Sequence, residues 1–214
     1  MHNRPPLPTP TLSATALVAC AFAAVFGLVA TASCSDDTAT AVHDVVANDS
    51  DDTPVDVAGE LTATVACTAC AGKCTEESWK YSNVFHDDGV INYTESPPSA
   101  GTHASCWWTW GTFATQVPTA RFVHNLEHGG LVMVYDCPGG CAADIAALTK
   151  TGEASGLKFI VTPFAGAAAR IVAVAWEHRL LLDCVDEAAI VAFAKKWAPG
   201  APEQVDVGPS ASCM

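Results

Sequence analysis

Basic residues are scarce in this 214-residue chain: 10 Lys and Arg stand against 23 Asp and Glu, a formal charge of −13. A surface so poor in cations cannot gather phosphates and release their counterions, so nucleic acid is excluded as a partner. The shortage is not uniform. Residues 35–60 contain no Lys, no Arg and no aromatic side chain, yet carry eight acids: Asp36, Asp37, Asp44, Asp49, Asp51, Asp52, Asp56 and Glu60. Such a segment lacks the apolar surface that would offset the entropy of ordering it, and it reads as an acidic disordered tether. The stretch 61–214 holds the other 15 acids and nine bases, a net of 9 − 15 = −6. No internal repeat is visible in it, and Gly and Pro punctuate several short segments.

Charge is absent altogether from about Leu12 to Ala32, an apolar run that follows Arg4 and precedes small residues and Cys34. Residues 1–34 therefore read as an export signal. Thr31-Ala32-Ser33-Cys34 resembles a lipoprotein cleavage box, with Cys34 as the lipidated residue; an uncleaved N-terminal anchor and a soluble secreted product are the alternatives. The first two place a tethered domain in the cell envelope, on the periplasmic or outer side of a membrane. The membrane is then a partner through the lipid anchor, while a protein partner is unknown.

From Leu61 onward the pattern predicts one extracytoplasmic α+β domain, residues 61–214. Gly130 to Tyr135 is apolar on both faces and predicts a buried central strand; Ala142 to Lys150 predicts a helix and Leu157 to Phe164 a strand. Arg170 to Asp183 predicts a long strand or a hairpin turning near Glu177-His178. Ile190, Phe193, Ala194 and Trp197 recur at helical spacing, with acids before them and Lys195-Lys196 at the end, which predicts a closing helix. The order β-α-β-β-α points to a mainly antiparallel sheet with helices on one face. The portion 67–120 offers only short strand candidates, such as Val90 to Tyr93, among long loops that must be pinned or functional.

With Cys20 and Cys34 assigned to the export segment, eight cysteines remain: Cys67, Cys70, Cys74, Cys106, Cys137, Cys141, Cys184 and Cys213. An even number in an exported chain reads first as disulfides, with connectivity left open. A four-thiolate zinc site from Cys67, Cys70, Cys137 and Cys141, and a redox pair at Cys67 and Cys70, are the competing readings.

Chemistry concentrates in Val123-His124-Asn125-Leu126-Glu127-His128-Gly129-Gly130. On a helical turn His124 and His128 share a face and can chelate one ion; on a strand their backbones would lie about 13 Å apart. Chelation therefore requires a turn or a helix. His103, in a Pro- and Gly-shaped loop, completes a candidate transition-metal site with His124 and His128. His86 or Glu127 is the next ligand or a supporting partner. Imidazole donors suit several metals, and an N-rich set favours copper over zinc. Two other readings stand beside it. One is a structural or interaction module with hydrogen-bonded buried histidines. The other is a metal-dependent hydrolase, since the spacing matches the H-x-x-E-H signature with Glu127 as base, although two glycines and a strand follow at once. No catalytic residue is assigned. His43 and His178 read as plain surface residues.

The run Pro97 to His103, Trp107 to Gly111, Val117-Pro118 and Val123 to Gly130 leading into an apolar strand resembles the bacterial domain-of-unknown-function family numbered 3105. His86 followed by Tyr93, and Ala175 to Arg179 through Leu182-Asp183, extend the likeness to about residues 84–204, with Glu177-His178 standing where that family usually has a Gly. The resemblance implies an exported or membrane-anchored domain and groups His86, His103, His124 and His128 as family-type positions. It implies no activity.

Overall fold

The computed structural model describes residues 61–70, 73–82 and 84–214. The expected export signal, Cys34 and the acidic tether lie outside the described residues. Seven strands form one sheet: β1 (Leu61–Ala66), β2 (Lys73–Ser78), β3 (Gly111–Thr112), β4 (Leu131–Tyr135), β5 (Phe159–Pro163), β6 (Ile171–Ala175) and β7 (His178–Leu182). Three helices accompany it: α1 (Thr119–Glu127), α2 (Ala142–Ser155) and α3 (Glu187–Trp197). Spatial order is β1-β2-β7-β6-β4-β5-β3. Every neighbouring pair from β1 through β4 is antiparallel, whereas β5 runs parallel to both β4 and β3. The fold is α+β, as the pattern predicts.

Strand pleating divides the apolar residues between two cores. Leu131, Met133, Ile171, Ala173, Leu180 and Leu182 point to one face and pack with Leu148 of α2 and Ile190, Phe193 and Ala194 of α3. Val132, Val134, Ile160, Val172 and Val174 point to the other and meet Phe122, Val123 and Leu126 of α1. The two helices expected from periodicity thus share one face. The third, α1, covers the opposite face, so the expectation of helices on one face alone is corrected. All five residues of β4 are buried because the strand lies between β5 and β6 with a core on each side. Fully burying one such side chain contributes about 1.5–3 kcal/mol.

The predicted hairpin forms, with Ile171 paired to Leu182 and Ala175 to His178. Its turn places Glu177 at φ 63°, the one non-glycine residue with positive φ among those described. A left-handed backbone costs a residue with a Cβ about 1–2 kcal/mol. Glutamate at this turn has compensating bonds that glycine could not make: its Oε1 accepts the Tyr81 amide at 3.1 Å and its Oε2 accepts Lys80 Nζ at 2.8 Å. His178, read from sequence as a surface residue, is instead buried. It stacks on Trp197 at 3.5 Å between ring centres and bonds Ser78 Oγ through Nδ1 at 2.7 Å. Residues Val90 to Tyr93 form no strand, and Val90 is 92% exposed.

All eight described cysteines pair: Cys67 with Cys74, Cys70 with Cys184, Cys106 with Cys213 and Cys137 with Cys141. Cys67 and Cys70 take different partners, which removes both the redox pair and the four-thiolate zinc site. Two bonds close chain separations of 114 and 107 residues, the kind of long loop whose closure most restricts the unfolded chain.

Candidate metal centre

Three segments converge on the α1 face of the sheet. The first is the loop before and after His103. A two-stranded bridge holds His86 beside His103: the Asp87 amide donates to the His103 carbonyl at 2.7 Å, and the His103 amide to the Phe85 carbonyl at 3.0 Å. Asp88 then accepts both the amide and the hydroxyl of Ser105, bonds that hold its carboxyl below the usual range. Arg179 clamps the same loop through the Pro97 carbonyl at 2.8 Å.

The second segment is α1. Its inward residues Phe122, Val123 and Leu126 anchor it to the sheet, which leaves His124 and Glu127, then His128 one residue past the helix, facing the His103 loop. Asn125 is wholly buried and latches the next loop: its Oδ1 accepts the Trp108 amide at 2.8 Å and its Nδ2 donates to the Trp108 carbonyl at 2.9 Å. Gly129 ends the helix at φ 76°. At Gly130 a Cβ would strike the Trp110 ring and stand 2.8 Å from the Asn125 carbonyl, so the chain can enter β4 here only as glycine.

The third segment is the tail after α3. The Glu203 amide donates to the Glu127 carbonyl at 3.1 Å, satisfying an acceptor at the end of α1. Farther along, Trp107 Nε1 donates to the Ser210 carbonyl, and Cys213 is bonded to Cys106. The Trp107 ring stands 5.7 Å from the rings of both His124 and His128. Trp107 therefore packs beside a disulfide and also walls the histidines.

Within this frame, one ligand atom each from His86, His103, His124 and Glu127 lie within 4.8 Å of one another. His103 and His124 are completely buried, while the His86 side chain is 35% exposed and forms the open side. The His86 and His124 rings are stacked, 4.9 Å apart and 6° from parallel. His128 belongs to an adjoining group with Glu127 and Glu203. Its Nε2 is 2.8 Å from His124 Nε2, and its Nδ1 faces a Glu203 carboxylate oxygen at 3.8 Å. The structure thus places all five sequence candidates together, but sets His86 and Glu127 with His103 and His124, and His128 beside them.

The hydrogen bonds set the tautomers. His103 Nδ1 is 2.8 Å from the Gly101 carbonyl and His124 Nδ1 is 2.7 Å from the Ala104 carbonyl. A carbonyl only accepts, so both Nδ1 atoms carry a proton, and each ring turns its Nε2 inward. His103 Nε2 then meets Glu127 Oε2 at 2.9 Å. Two acceptors at that distance require a cation between or upon them, either a proton or a metal ion. Burial pushes the His124 pKa down to about 4, against the bond to Ala104, and lowers that of His128, with the charge of Glu203 opposing. Burial alone would raise Glu127, but hydrogen bonds from His103 and His86 outweigh it and hold the carboxyl below its ordinary value. The cluster therefore presents a carboxylate and a neutral, buried His124 near pH 7, the protonation states that bind metals.

Glu203 is the acid that sequence reasoning missed: it stands in a tail with no ligand spacing, and no local signal marks it. Asn125 lay inside the histidine motif, but nothing in the spacing tells a latch from a ligand. A further group, Cys137, Cys141 and Asp144, is disqualified as a metal site because its two sulfurs are bonded to each other.

Among known protein families, the model described as "Protein of unknown function (DUF3105)" matches residues 85–210. No curated protein and no solved structure matches the chain.

Proposed function

Since the chain belongs to the DUF3105 family of proteins of unknown function, which assigns no reaction, we propose from the site itself that this domain binds one transition-metal ion through His86, His103, His124 and Glu127. The observation that carries the reading is the pair of buried imidazoles whose Nδ1 protons are committed to the Gly101 and Ala104 carbonyls, which turns both Nε2 atoms into the cluster, that of His103 against the Glu127 carboxylate and that of His124 against His128 Nε2. Backbone carbonyls that fix the tautomer of a ligating histidine are the usual second layer of a metal site. Ligands about 2.1 Å from a shared ion stand at most about 4.2 Å apart, so the 4.8 Å cluster needs to contract by only about half an ångström. Three imidazoles and one carboxylate favour copper(II) over zinc, following the general affinity order.

The test is metal analysis of the full chain exposed to one equivalent of copper(II) or zinc, beside a His103→Ala/His124→Ala variant. The parent should retain about one ion, copper displacing zinc, and the variant should lose affinity by at least about a hundredfold. Equal, substoichiometric metal in both would sink the reading. The same bonds to Gly101 and Ala104 favour a second reading, in which the histidines only fix the loops over the sheet; metal would then leave the melting temperature of the parent unchanged.

The domain is further proposed to stand outside the cytoplasm on a lipid anchor at Cys34. The apolar run before that residue and four disulfides in the described residues support this placement. Cys34→Ala should move the protein from the membrane to the soluble fraction or leave it unprocessed; unchanged membrane association with normal processing would remove Cys34 as the anchor.

A further inference from the structure

The Nδ1 atom of His128 has no counterpart in the reading above. His128 Nε2 is 2.8 Å from His124 Nε2, the nitrogen that the first ion would take as its ligand, and Nδ1 lies on the other side of the His128 ring. That atom is buried, its side chain has no exposure, and it makes no hydrogen bond of good geometry. It points toward the Glu203 carboxylate at 3.8 Å. One oxygen of Glu127, a ring nitrogen of His128 and an oxygen of Glu203 lie within 4.8 Å of one another.

We propose that this is a second cation position, held by Glu127, His128 and Glu203, and that Glu127 bridges it to the first ion. The inference rests on the metal reading of His86, His103, His124 and Glu127. The two positions differ in chemistry. The first offers three imidazoles in a largely buried setting. The second offers one imidazole and two carboxylates, and its Glu203 side chain is 38% exposed. Oxygen-rich ligation suits a harder divalent ion than the first position favours, and three protein ligands leave coordination places for water or a small anionic ligand. Glu127 and Glu203 together offset two of the four positive charges of a divalent pair. The second ion is therefore the weaker and more exchangeable, entering from the side of the tail. A carboxylate-bridged pair has a metal–metal separation of about 3.5–4 Å.

The full chain is dialysed against zinc alone, and bound zinc per chain is measured for the parent and for Glu203→Gln, which keeps the side chain's size and removes its charge. About two zinc ions in the parent and about one in the variant, with a metal–metal vector near 3.5–4 Å by X-ray absorption in the parent only, is the expected result. One zinc in both proteins overturns the second position and leaves the first standing. One zinc in both, bound about tenfold more weakly by Glu203→Gln, also overturns it, because Glu203 then only orients His128. Two zinc ions in Glu203→Gln remove Glu203 from the site. No zinc in the parent overturns the first position as well.

Discussion

The two faces of the sheet are built from the same strands and covered in opposite ways. On one, Leu148, Ile190 and Phe193 from two helices seal an apolar core. On the other, one nine-residue helix is supplemented by loops, and His103, His124, Asn125 and Ser99 are buried with it. Burying polar groups costs free energy unless each finds a partner, and on this second face His103, His124 and Asn125 find theirs in the carbonyls of Gly101, Ala104 and Trp108. One face supplies stability that needs no particular geometry. The other gives up stability to hold the candidate ligands His86, His103, His124, Glu127 and His128 in fixed orientations.

That contrast can be broken at its strongest point first. Leu148→Ala, on the helical face, should cost about 3 kcal/mol in denaturant unfolding and leave metal stoichiometry unchanged. A loss of metal with the same substitution would show that the faces are not independent. Next, metal at a hundredfold above its dissociation constant should stabilise the parent by about 2.7 kcal/mol, read as a rise in melting temperature, and should not stabilise His103→Ala/His124→Ala.

The pH response sharpens the comparison, because each face carries one histidine held near pKa 4 by burial, His178 on the helical side and His124 on the other. The unfolded chain protonates these groups near 6.5, so it binds more protons than the folded state between about pH 6.5 and 4. Stability from each is full above pH 6.5 and drains as pH falls, by about 2 kcal/mol per histidine at pH 5. Urea titrations of the metal-free protein at pH 7.5 and 5 should show this, and His178→Gln should remove about half of the difference. Smallest is Asn125→Ala, which strands the Trp108 amide and carbonyl and should cost about 1.5 kcal/mol. Faster hydrogen exchange at the Trp108 amide would locate the loss; unchanged exchange would deny the latch.

The sealed face was largely legible in the sequence, because apolar periodicity reports only on elements that bury a regular stripe. It marked β4, the β6–β7 hairpin and α3 closely, and α2 apart from its last residues. The other face resisted the same reading. Helix α1 buries His124, Asn125 and Glu127 alongside Phe122 and Leu126, so its polar residues do not mark a solvent side, and Pro118 provides no side-chain cap. Only ligand geometry pointed to a helix there, since His124 and His128 could not otherwise meet. Strand β2 hides its inward face behind Cys74 and Glu76, and β3 is two residues long, too short for any period. The candidate ligands within the motif were visible as chemistry, but their grouping depends on loop bonds, and no spacing foretells Glu203 beside them.

The Cys106–Cys213 bond also imposes an order in time. His86, His103, His124, Glu127 and His128 leave the ribosome well before Cys213 exists, and the bond that pins the tail across Trp107 waits for both sulfurs and for an oxidant. Until that bond forms, the tail is held to the Trp107 wall beside His124 and His128 by hydrogen bonds, the one from the Trp107 indole to the Ser210 carbonyl among them.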